Sequence, residues 1–243
     1  MGFEISDQVR ALNAQLQNFM DEHIYPRERE WHEWCHDPEH LWEVPAWYDD
    51  IRDKAKAEGL WNLFLPEEYA PWSPGLTNVE IAPLFETMSK VMWAQSVFNC
   101  NAPDRGNMEV LAKYGTPEQQ EQWLKPLLAG EIRSAYAMTE PQVASSDATN
   151  MELEIRRDGD EYVLNGRKWW TTGAVGPRCK IMLVMGKSNP ENDRHRQHST
   201  ILVPRDTPGV KLVRTLRAFD SLHSPGGEAE LLFEDVRVPV SNM

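Results

Sequence analysis

Apolar residues recur at helical spacing through the first half of the chain and at strand spacing through the second. Over residues 5–24, Val9, Leu12, Leu16, Phe19 and Ile24 share one helical face, and Pro26 is expected to end that helix. A second helix is predicted over 46–58, AWYDDIRDKAKAE, stopped at Gly59. A third is predicted over 77–99, with Ile81, Leu84, Phe85, Met88, Val91 and Met92 along one stripe, and a fourth over 107–114, stopped by Gly115. The fifth has the clearest start. Thr116 offers a hydroxyl N-cap, Pro117 fills the first helical position and Gln119 the third, and the helix should run to Ala129 and end at Gly130.

After residue 132 the period shortens. MELEIRRDGDEYVLNGRKWWTT carries two turn pairs between apolar runs, Asp158-Gly159 and Asn165-Gly166, and IMLVMG, STILVP, GVKLVR and AELLFEDVRVP follow. The expected class is α+β: an N-terminal all-helical domain over 1–132, then an antiparallel β-barrel-like domain over 133–243 joined by hairpins. The last strand ends in VPVSNM with no closing element in view.

Composition narrows the partners. The 243 residues are 41 % apolar and 26 % charged, enough for a sizeable core, and the formal net charge of -13 opposes non-specific attraction to nucleic acid or anionic lipid. No apolar run reaches the roughly 20 residues that span a bilayer, and MGFEISDQVRALNAQL lacks the pattern of a secretory signal. Gly2 with Ser6 matches the short N-myristoylation pattern, but no polybasic patch supports it. Cys35, Cys100 and Cys179 are far apart, so reduced thiols in a cytoplasmic setting are the simpler reading.

Candidate chemistry is sparse. His32, Cys35, His36 and His40 in WHEWCHDPEH are zinc-type residues at no zinc-type spacing, so a structured loop with packed aromatics is expected there and no metal site. DRHRQHS at 193–199 reads as a charged loop that is mostly solvated, with contact to an anionic ligand as the alternative. GxGxxG, GxxxxGK[ST], GxSxG and HExxH are all absent. What remains is MTEPQVASSDATN at 138–150, crowded with Thr139, Ser145, Ser146 and Thr149, and WWTTG at 169–173. The first is ordinary turn chemistry or a backbone cradle for a flat heterocycle, turn chemistry being the simpler reading. Adjacent tryptophans on a strand should face opposite sides, one in the core and one forming a wall of the kind a flavin ring needs.

These same runs resemble the acyl-CoA dehydrogenase family. Tyr136-Ala-Met-Thr-Glu-Pro141 followed by Ser145 looks like its first signature, Asn165-Gly-Arg-Lys-Trp-Trp-Thr-Thr-Gly173 like its second, and Phe233-Glu-Asp-Val-Arg-Val-Pro239 like the close of its β domain. FNCNAPDRGNMEVLAKYGTPEQ and VASSDATN resemble the branch related to animal members fused to a kinase-like domain. The resemblance implies FAD as cofactor, an oxidoreductase of fatty acid metabolism and α,β-dehydrogenation of an acyl-CoA. In that reaction a carboxylate base takes the α-proton and the β-hydrogen leaves as hydride to the flavin. It further implies an electron-transfer flavoprotein or another acceptor as partner and a homo-oligomer at full length. Carried over by position, Tyr136, Met138, Thr139, Ser145, Trp170, Thr171 and Thr172 would line the flavin, and Ser145 would also lie near the thioester. Residues 142–144 read Gln-Val-Ala where the family commonly has Gly-Ala-Gly. The family's base lies in a C-terminal helical domain beyond this chain, so no catalytic residue is expected here; Glu140 and Asp147 match nothing in that role. A non-catalytic binding or scaffold module is the competing expectation, with an acyl-CoA or nitroalkane oxidase relative behind it.

Overall fold

The computed structural model describes residues 5–218 and 226–243. The chain forms two compact units, residues 1–120 and 121–243.

The first unit is helical. Helix α1 (Asp7–Phe19) starts where the Ser6 hydroxyl accepts the Val9 N–H at 3.3 Å, and it buries Val9, Leu16 and Phe19. Pro26 does not end the helical run as its position suggested. The chain widens into a π turn over Met20–Ile24, tightens into a 3-10 turn over Tyr25–Arg27, and continues as α2 (Glu28–His36). A proline lacks an N–H and crowds the carbonyl four residues back, and a widened turn just before it relieves that clash. The same device recurs later: α7 (Pro117–Gln119) passes through a π turn at Gln120–Leu124 into α8 (Lys125–Ala129), whose second residue is Pro126. Gly130 then closes α8 at φ +71°, where a side chain would be strained.

The segment expected to be a loop around His32 and Cys35 is therefore helical. His32 stacks on His36 at 4.0 Å, His40 on Trp34 at 3.7 Å, and Trp31 on Trp93 at 4.8 Å. Burial pushes the Cys35 thiol up to about 11. Among the described residues no group of His, Cys, Asp and Glu is placed to hold a metal ion.

Helix α3 (Trp47–Ala57) lies where the pattern put it. The third predicted helix is shorter than its stripe. It forms as α4 (Asn78–Met88), turns at Ser89, and resumes only for α5 (Ala94–Val97). Met92, expected on the buried stripe, is 92 % exposed, because it lies in the turn between the two helices. Helix α6 spans Asp104–Tyr114. The start of α4 is fixed by a capping box: Thr77 Oγ1 accepts the Glu80 N–H at 3.3 Å, and Glu80 Oε2 accepts the Thr77 N–H at 2.9 Å. Thr77→Ala removes the first bond and should cost about 1 kcal/mol, read as a lower urea midpoint with an unchanged slope.

Among the described residues the second unit holds a seven-stranded sheet: β1 (Arg133–Ala137), β2 (Glu154–Asp158), β3 (Glu161–Thr172), β4 (Cys179–Lys187), β5 (His198–Pro204), β6 (Val210–Leu216) and β7 (Glu228–Pro239). The order is β1-β4-β2-β3-β7-β6, with β5 also paired to β4, and the sheet curls into a half-barrel. It is mixed rather than wholly antiparallel. β1 runs parallel to β4, and β2 meets β4 in parallel at Glu154 and Lys187. Hairpins would force antiparallel neighbours, but β1 leaves through the long 138–150 loop and pairs with β4, three strands further on. Leu153, Ile155, Leu164, Val184, Leu231 and Phe233 are among the buried core.

Of the two turn pairs, one makes a hairpin. Asp158 pairs with Glu161 around Gly159, which has φ +63°. Asn165-Gly166 instead lies inside β3, at a register shift against β7. There the Asn165 side chain accepts the Asp235 N–H at 2.9 Å, and Asp235 itself has φ +47°. The left-handed residue at this bulge is therefore Asp235 on β7, while Gly166 sits at φ +150°, so the Asn-Gly pair marks a backbone irregularity without adopting a turn. Among the described residues no helix is long and apolar enough to cross a membrane.

Candidate functional site

Strand β1 delivers the chain into the 138–150 loop, and β3 holds the loop from below. The Met138 carbonyl accepts from Lys168 Nζ at 2.8 Å, and the Thr139 carbonyl accepts from the Trp169 N–H at 2.9 Å. Glu140 is buried beneath the loop. Its carboxylate accepts from the Glu152 N–H at 2.7 Å, the Leu153 N–H at 2.9 Å and Lys168 Nζ at 2.8 Å. Burial lowers the Lys168 ammonium to about 8, against the opposing pull of the Glu140 hydrogen bond and charge. A carboxylate buried to 3 % exposure and holding three donors is a structural anchor. Ser145 is also buried, and its Oγ accepts the Glu140 N–H at 2.9 Å, closing the loop on itself.

The tryptophan pair departs from simple alternation. The register against β7 slips between Lys168 and Thr171, and Trp170 occupies the extra position with φ +50°. A bulky residue in the left-handed region is uncommon and persists where the surroundings fix it. Trp170 is consequently turned out, 42 % exposed, while Trp169 is only half-buried, its ring 6.0 Å from that of Trp170. The expected core tryptophan is thus absent from this pair. The core position beyond the bulge goes to Thr171, fully buried, its hydroxyl without a hydrogen-bond partner among the described residues. Thr172 Oγ1 donates to Glu228 at 2.8 Å, and the Tyr136 hydroxyl lies 3.8 Å from the Met185 sulfur.

The Thr139–Trp169 backbone bond therefore brings Met138, Thr139 and Trp170 together, and Ser145 is held below them through Glu140. The 193–199 loop joins them from the side. Arg194 donates to Asp147 at 3.0 Å and to Thr149 at 2.9 Å, and Thr149 hydrogen bonds hold the Asp147 carboxyl below its usual range. The Glu140–Lys168 pair escaped the sequence reading. Its signal was a lysine in β3 on the same face as Leu164, the face that points into the core.

A helical unit followed by a curled sheet with this stitched loop defines an acyl-CoA dehydrogenase-type fold. Two family models match the chain: acyl-CoA dehydrogenase, N-terminal domain, over residues 6–131, and acyl-CoA dehydrogenase, middle domain, over residues 135–236. The chain belongs to the acyl-CoA dehydrogenase family. It is 50 % identical to acyl-CoA dehydrogenase family member 10 of Mus musculus over 98 % of this chain and 22 % of that protein. It is 51 % identical to family member 11 of Gallus gallus over 94 % of this chain and 29 % of that protein. A solved structure described as an acyl-CoA dehydrogenase from Mycobacterium abscessus superposes with a TM-score of 0.92 at 46 % identity, covering 98 % of this chain and 60 % of that one. The chain thus spans less than a third of either animal relative.

Proposed function

We propose that the whole protein catalyses FAD-dependent α,β-dehydrogenation of an acyl-CoA, with this chain supplying the flavin and thioester half-site. The domain division is placed at 132/133, and the reading includes a cytoplasmic homo-oligomer that passes electrons to an electron-transfer flavoprotein or a similar acceptor. The observation that carries it is Trp170, a flat indole held outward by a bulge directly beside the Thr139 loop.

The donor set fits a flavin in part. The Thr139 hydroxyl is exposed and has no partner among the described residues, and the Trp170 ring offers an apolar wall. Thr171 is fully buried, so it supports the site from within rather than lining it, and Thr172, Ser145 and Tyr136 already have partners inside the protein. FAD, when bound, would supply the hydride acceptor. The chain's own residues bind and orient: Trp170 covers a ring face, Thr139 offers a neutral hydroxyl to its edge, and the stitched loop limits the water that reaches the site. No base is assigned within this chain, and Glu140 is excluded from that role by its three donors.

The test is the absorbance spectrum of the purified full-length protein. A stoichiometric flavin band that bleaches anaerobically with an acyl-CoA is expected. Trp170→Ala and Thr139→Val should each weaken FAD binding by about 1 kcal/mol, roughly fivefold. A full-length protein that takes up no flavin would sink the proposal. Flavin retained without bleaching by any acyl-CoA would favour a binding module.

A further inference from the structure

Beneath the 138–145 loop lies a buried charged pair that no ligand in front of the loop could reach, distinct from the exposed Asp147–Arg194 pair at its side. Lys168 is 0 % exposed and Glu140 3 %. The ammonium is divided between the Met138 carbonyl and the Glu140 carboxylate, each at 2.8 Å. The carboxylate in turn holds the amides of Glu152 and Leu153, and the amide of Glu140 holds Ser145. One pair therefore fixes the loop at its start, its far turn and the segment entering β2.

The direction of these bonds matters. The Met138 and Thr139 carbonyls both point inward, onto Lys168 and the Trp169 N–H. A flavin edge presents acceptors at N1, O2, O4 and N5 beside a single N3–H donor, so a carbonyl turned towards those acceptors would repel them, whereas a hydroxyl or N–H can donate to them. We propose that Glu140 and Lys168 are positioning residues for the flavin loop: their buried pair draws two carbonyls off the ligand side and leaves the Thr139 hydroxyl beside Trp170 facing the ring. The inference rests on the flavin reading above. Neither residue touches the ligand; both act through the loop backbone.

The test is Glu140→Gln/Lys168→Met in the full-length protein, which removes both charges together and strands neither. The apoprotein is expected to keep its far-ultraviolet circular dichroism. The Kd for FAD, from fluorescence titration, should rise at least tenfold, and the visible circular dichroism of bound flavin should change, which an inert core pair would not cause. An unchanged Kd and visible spectrum would overturn the proposal. Should the double variant fail to fold, Glu140→Asp decides. It keeps the charge and shortens the reach by one methylene, so a several-fold rise in Kd is expected, and an unchanged Kd overturns the proposal. Wild-type protein that takes no FAD is a separate result, which refutes the flavin reading itself.

Discussion

Lys168→Met is expected to lower stability by about 3–5 kcal/mol, because it leaves the Glu140 carboxylate buried without a counter-charge. Lys168 is 0 % exposed, so water cannot replace it without opening the sheet. Methionine roughly matches the lysine stem in volume, which isolates the charge effect from packing. Adding Glu140→Gln to Lys168→Met should recover part of the loss. It removes the stranded charge but leaves only one oxygen for the amides of Glu152 and Leu153, and an orphaned buried amide costs about 1–3 kcal/mol. Urea unfolding followed by circular dichroism should rank wild type first, the double variant second and Lys168→Met last. A single variant within about 1 kcal/mol of wild type would show that the pair contributes no more than a surface bridge does.

Most of the element order was legible in the chain because burial imposes a period on each element. Val9, Leu16 and Phe19 repeat at helical spacing since one face of α1 is buried, and β4, IMLVMG, is nearly all apolar since both its faces are covered. The misreadings fell where a local signal has two structural outcomes. Pro26 reads as a stop, yet a π turn lets helix continue past it. Asn165-Gly166 reads as a hairpin turn, yet the same residue pair also suits a bulge inside a strand. The antiparallel pairings were legible from the alternation and the turns, but the parallel ones were not, because β1 and β4 meet across a separation that no local pattern records. At the site, the loop and the WWTTG run stood out by composition. What holds them did not: Glu140 matched no catalytic role and Lys168 drew no reading of its own, and only their shared depth pairs them.

Gly186→Ala should have the second large effect, costing about 2–3 kcal/mol through overpacking. A Cβ there would lie 2.6 Å from Leu153 Cδ2, 2.8 Å from the Leu153 carbonyl oxygen and 2.9 Å from Ile155 Cγ1. The side-chain tip could swing away, but the carbonyl cannot, since it accepts the Lys187 N–H at 2.7 Å. Retreat is blocked on the other side, where a Cβ at Gly166 would already be 2.8 Å from Leu153 Cα. Leu153 is thus gripped between two glycines, and its own N–H is held by Glu140 at 2.9 Å. Leu153→Ala added to Gly186→Ala should rescue little, because it clears the tip contact, leaves the carbonyl contact and adds a cavity of its own. Displacing Leu153 also pulls on the carboxylate beneath the flavin loop. Gly186→Ala should therefore weaken FAD binding in the full-length protein more than Val238→Ala, a core truncation at the opposite end of β7 from Thr172. Equal flavin affinities in these two variants would mean that strain at Leu153 stops short of Glu140, and that the loop is held by Lys168 and Trp169 alone.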